Sequence, residues 1–190
     1  ALPIYNDISI VDADRMQLEA VQSFFADKPE GFKGLKLSHR SFISPYPIYE
    51  ALAHLSDRSV LMVRENFLKC AISRERARIR VEQALAKGEK ASWAVQAGQS
   101  KLAATVMDID QILRLTAQFE KYHSECLAYA DHFLVQGRLT VRYEDLMERP
   151  NQKMSEIFSH LGLDDTPVIL HSKATADDLR TDVLNYDELE

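Results

Sequence analysis

Residues 59–78 read SVLMVRENFLKCAISRERAR, and the fold is decided there. Val60 to Val63 is an unbroken apolar run, the pattern of a parallel strand covered by helices on both faces; a half-solvated strand would alternate. Asn66 to Leu85 carries helical character, so the strand (Ser59 to Val63) ends in Arg64 and a helix opens almost at once. In open parallel sheets ligands bind at the carboxyl ends of the strands, which puts Arg64 at the edge where chemistry is expected. Ser73 follows nine positions later. That is about two helical turns on, where a hydroxyl can face the same pocket as the guanidinium. An arginine fork beside a hydroxyl suits a phosphate monoester. The plainer alternative is that Arg64 caps the helix or pairs with an acid, and that Ser73 only packs.

Two further strands are expected, Phe32 to Leu37 and Arg138 to Tyr143, with helices over Pro47 to Leu55, Asp108 to Ala130 and Asn151 to Leu161. In the second of these helices Ile109, Ile112, Leu113, Phe119 and Leu127 recur at helical spacing. Strands alternating with helices give an α/β fold with a mainly parallel sheet flanked by helices. A chain of 190 residues without repeats or low-complexity linkers is expected to form one domain, residues 1–190.

Composition narrows the function. With 46% hydrophobic and 27% charged residues the chain is neither disordered nor fibrous. No apolar run approaches the roughly 20 residues of a membrane span, and the N-terminus lacks a basic, apolar leader. Cys70 and Cys126 lie far apart, which suits a reducing, cytoplasmic setting and no cysteine metal site; no His, Cys or carboxylate cluster has ligand spacing, so no metal is expected. The net charge of −6 argues against a nucleic-acid partner. That charge is uneven: residues 64–80 hold six basic side chains against two acids, and residues 164–190 hold eight acids against Lys173 and Arg180. A basic segment in an acidic protein points to a local anionic ligand. Arg74 and Arg78, like Arg76 and Arg80, lie four apart and share helix faces, so the expectation is that one pair helps hold a phosphate while the other is solvated.

The segment around Arg64 resembles the 3′-phosphate-binding segment of sulfotransferases that use 3′-phosphoadenosine 5′-phosphosulfate (PAPS), in particular the bacterial carbohydrate and glycolipid branch. Arg64, Glu65, Asn66 and Ser73 match it in place. VRYEDLMERPNQKMSEIFSHLGLD (141–164) resembles the family's later strand and helix, and KATADDLRTDVLNYDEL (173–189), with Lys173, Asn185 and Tyr186, is similar to the C-terminal segment that folds over the nucleotide. The resemblance covers residues 32–190. It implies a P-loop-kinase-like sulfotransferase fold, PAPS as co-substrate, and Arg64, Ser73 and Lys173 as nucleotide-binding residues. The YEDL segment itself is adequately explained by helix initiation and acids in a first turn.

In GLKLSHR (34–40), Lys36, His39 and Arg40 fall at or beyond the expected strand end. Sulfuryl transfer needs a base for the acceptor hydroxyl and cations for the charge on the transferred group. The resemblance implies His39 as base and Lys36 as stabiliser, with a glutamate nearer the N-terminus, or a residue outside this chain, as the alternative base. Trp93 either packs on a sugar face or is core. One departure stands out. The family's first strand, its G-x-x-R-S-G-T loop for the 5′-phosphosulfate and the helix after it have no counterpart here, and no Walker loop replaces them. The expectation is that this first strand-loop-helix unit lies upstream in the native gene, that residues 1–190 alone do not catalyse transfer, and that an unpaired strand edge favours a homo-oligomer. The function expected is transfer of a sulfuryl group to a hydroxyl of a carbohydrate or glycolipid. The rivals are a non-catalytic nucleotide- or partner-binding module of the same fold, and a nucleic-acid binder, which the net charge disfavours.

Overall fold

The Ser9 hydroxyl accepts from the Asp12 amide at 3.1 Å and donates to the Asp12 carboxylate at 2.7 Å. This cap starts α1 (Ile10–Ala26), a helix not anticipated above although its Ser-x-x-Asp signal is local. The computed structural model describes residues 9–26, 33–89, 102–167 and 178–189. After α1 come α2 (Pro45–Leu55), β1 (Ser59–Val63), α3 (Phe67–Ala86), α4 (Ile109–Phe133), β2 (Arg138–Arg142), α5 (Tyr143–Glu148) and α6 (Pro150–Leu161). Single 3-10 turns lie at His39–Ser41, Leu179–Thr181 and Tyr186–Leu189. β1 and β2 are neighbours in a two-stranded parallel sheet, so the chain is α/β, as expected.

Two expectations about strands fail. Residues 33–37, the described part of the strand expected over Phe32 to Leu37, have no regular structure, and Leu35 and Leu37 are exposed. Local composition is insufficient because a strand persists only where a neighbour takes up its backbone hydrogen bonds. The apolar run of β1 is also not enclosed on both faces. Val63 is buried, but Met62 is 51% exposed and the residues before it are half-buried. Among the described residues β1 has one strand neighbour, β2.

The chain falls into two compact units. The first takes in residues up to Val63 together with 122–141 and 155–164. Its core is Tyr49, Ala130 and Leu134, with Phe42, Leu52, Leu61, Tyr129 and Phe133 packed against them. β2 is launched from Gly137, whose carbonyl accepts the Ser59 amide at 2.8 Å. Gly137 has φ +67°, and a Cβ there would stand 2.5 Å from the Asp57 carbonyl oxygen, so only glycine fits. His160 Nε2 sits 3.1 Å from both the Ser59 and the Gly137 carbonyl oxygens, tying α6 to the strand starts.

The second unit holds residues 64–121, 142–154 and 165–190. The buried face of α3, Ala71 and Ile72, meets Ile112 and Leu115 of α4 and Met107, Leu179 and Val183 from the flanking segments. Thr105 and Val183 form a parallel bridge, and the Asn185 side-chain amide exchanges two hydrogen bonds of 2.9 Å with the Met107 backbone. No helix among the described residues is long and apolar enough to cross a membrane.

Candidate functional site

Arg64 is the first residue after β1 and Tyr143 the first after β2, so adjacent parallel strands deliver both side chains from neighbouring exits. The Arg64 guanidinium carbon lies 4.6 Å from the centre of the Tyr143 ring, a cation–π stack. Its Nε is buried with no hydrogen-bond partner, and among the described residues no carboxylate pairs with it. Among the described residues, then, nothing pairs with Arg64 as an ion-pair partner would. Asn66, not Arg64, is the helix cap, its side chain accepting from the Lys69 amide at 2.8 Å. Ser73 lies half-buried on α3 in the same unit.

Glu144 is the residue that sequence reasoning passed over. It stands in the first turn of α5, as expected of a helix-opening acid, but Oε1 reaches the amides of Glu65 at 3.2 Å and Asn66 at 3.3 Å. That contact spans 79 positions, and no local pattern encodes it.

Two other arginines of α3 are engaged in structure. Arg76 is buried, 3.1 Å from the Asp182 carboxylate and donating to the Asp182 carbonyl at 2.8 Å. Arg78 lies 3.0 Å from each oxygen of buried Glu75 and also pairs with Glu82. In each of the two expected pairs one member is thus engaged: Arg76 serves the core and Arg78 neutralises a buried acid.

In the first unit, Lys36 is exposed in the irregular stretch before His39. The His39 side chain is 8% exposed and ringed by Phe42, Tyr49, Tyr122 and Tyr129 at 5.9 to 6.5 Å. Its Nδ1 is 3.3 Å from the Tyr49 hydroxyl, which in turn lies 3.2 Å from Cys126 Sγ. Glu125 is 3.8 Å from Nε2, too long for a hydrogen bond. Burial holds the His39 pKa below its ordinary 6.5, with Glu125 opposing. The folded chain then binds this proton more weakly than the unfolded chain. The stability of the neutral ring is fully present above the ordinary value and is lost as pH falls through the folded one. Melting temperatures at about pH 7.5 and about pH 5 should therefore drop further in the parent than in His39→Asn. Equal drops would remove His39 as the cause.

Lys173 and Trp93 lie outside the described residues. Asn185 and Tyr186 serve packing here, the first on Met107 and the second beneath the Arg180 guanidinium at 5.1 Å. Among the described residues no group of three or more His, Cys, Asp or Glu is arranged to hold a metal ion.

No curated protein and no solved structure matches the chain. A family model does, that of the sulfotransferase domain, over residues 17–188. The match takes in β1, α3, α5 and α6, and begins at Gln17 within α1, earlier than the resemblance drawn from the motifs. A match over nine-tenths of the length, with the strand–Arg64–α3 arrangement in its midst, makes the chain a member of the sulfotransferase family.

Proposed function

We propose that the chain binds PAPS and serves transfer of its sulfuryl group to a hydroxyl of a carbohydrate or glycolipid. The observation that carries this reading is Arg64, a guanidinium supported on the Tyr143 face, with a buried, unpartnered Nε and no carboxylate on it among the described residues. Such a cation suits a phosphate, since part of its desolvation is already incurred and its N–H groups remain to be used. Arg64 and Ser73 would hold the 3′-phosphate, with Lys173 as a further nucleotide ligand. In transfer, the acceptor oxygen forms a bond to sulfur as the bond from sulfur to the leaving phosphate oxygen breaks, and the acceptor proton passes to a base. His39 is the proposed base: its lowered pKa keeps the ring neutral at pH 7, the form that accepts a proton. Exposed Lys36 is the proposed stabiliser of developing charge.

The burial of His39 also favours a second reading, a nucleotide-binding module without turnover, because a base must reach its acceptor. His39→Asn in the full-length gene product separates the two. For a base, sulfuryl transfer falls on the order of 100-fold while nucleotide affinity is unchanged. Native transfer in the variant would move the role to another residue. Nucleotide binding without any transfer in the parent would favour the binding module. Failure of the parent to prefer adenosine 3′,5′-bisphosphate over adenosine 5′-monophosphate would overturn the nucleotide assignment.

A further inference from the structure

Three consecutive residues leaving β2 hold three consecutive residues leaving β1. Arg142 pairs with Glu65 at 2.6 Å, the Tyr143 ring lies under Arg64, and Glu144 Oε1 accepts the amides of Glu65 and Asn66. The three grips differ in kind. Arg142 and Glu65 are both about half exposed, so their pair is screened by solvent and contributes little. Glu144 Oε2 is buried with no hydrogen-bond partner. The carboxylate therefore bears a desolvation cost to keep its other oxygen on two successive amides. Those amides immediately follow Arg64. Fixing the N–H directions of residues 65 and 66 fixes the path of the chain as it leaves Val63, and with it the point and angle from which the Arg64 side chain departs.

We infer that Glu144 is a positioning residue for Arg64, setting the affinity for the 3′-phosphate of a nucleotide through the backbone of residues 65 and 66. This rests on the reading of Arg64 as the phosphate ligand and adds to it a residue that touches no ligand atom.

Calorimetric titration of the chain with adenosine 3′,5′-bisphosphate and with adenosine 5′-monophosphate gives an affinity ratio that isolates the 3′-phosphate. Glu144→Ala should lower that ratio about tenfold while leaving the monophosphate affinity within about twofold, as outer partners of a ligand typically do. Glu144→Gln, whose side-chain carbonyl can accept the same amides, should restore the ratio to within about threefold of the parent. In the Arg64→Ala background, Glu144→Ala should lower it no further. Equal weakening of both nucleotides would mark a merely structural role and overturn the inference. Should Glu144→Ala not fold, Glu144→Asp, one methylene too short for both amides, takes its place with the same expected loss. A parent ratio near unity would fell the reading of Arg64 itself. A high parent ratio, lost in Arg64→Ala but kept in Glu144→Ala or Glu144→Asp, would fell this inference alone.

Discussion

Replacing Arg64 by alanine is expected to weaken binding of adenosine 3′,5′-bisphosphate by about 2 to 4 kcal/mol, roughly 30- to 1,000-fold. The size follows from the state of the side chain before any ligand arrives. Arg64 is already half out of water, stacked on Tyr143, with Nε buried and unpartnered. A phosphate would meet a cation that has lost part of its hydration and gained no compensating ion pair, so charge-assisted bonds form with little further cost. Arg64→Lys should recover only part of the loss, because an ammonium cannot present two parallel N–H groups and stacks poorly on tyrosine. Titration calorimetry of the three proteins is the measurement, and an alanine variant with parental affinity would exclude Arg64 as the phosphate ligand.

The second large effect concerns stability. Arg76→Ala is expected to destabilise the second unit by about 3 to 5 kcal/mol, the cost of leaving one partner of a buried ion pair alone. Arg76 and Asp182 are 3% and 7% exposed and 3.1 Å apart, and the guanidinium also donates to the carbonyls of Leu102, Ala103 and Asp182. It thereby joins α3 to two segments distant in sequence, which are also held to each other by the Thr105–Val183 bridge and the Asn185–Met107 bonds. Asp182→Asn should cost less, since the carbonyl contacts of Arg76 survive. Replacing both side chains together, Arg76→Met with Asp182→Leu, should recover much of the loss, because no lone buried charge remains. Urea unfolding of the chain measures all three. An Arg76→Ala variant within about 1 kcal/mol of the parent would show that solvent relieves the stranded carboxylate.

Much of the fold was legible because its signals are local. β1 follows from the run VLMV, the start of α3 from Asn66 and α4 from periodicity; these and α6 lie within about three residues of their expected bounds, ordinary fraying for such assignments, while YEDL opens α5 with acids in a first turn. α1 carried its own capping signal at Ser9 and Asp12 and was overlooked. The strand expected over Phe32 to Leu37 failed for the opposite reason: its signal is local, whereas a strand needs a partner that the segment itself does not name.

By itself the sequence determined the α/β class, the place of Arg64 at the carboxyl end of a strand, the spacing of Ser73 from it and the family to which these motifs belong. Such properties depend on residues within a turn or two of one another, where sterics, capping and periodicity act without reference to the rest of the chain. Only the tertiary structure decided which arginine of α3 is buried. Arg74, Arg76, Arg78 and Arg80 alternate identically along the chain, yet Asp182 and the carbonyls of residues 102 and 103 draw in Arg76 alone, while Glu75 and Glu82 hold Arg78 at the surface. Tertiary structure likewise closed four aromatic rings around His39 and carried Glu144 to the amides after Arg64. These outcomes turn on desolvation and on partners tens of residues away, and the balance between hydrating a polar group and burying it against a partner is struck only once the chain has brought the two together.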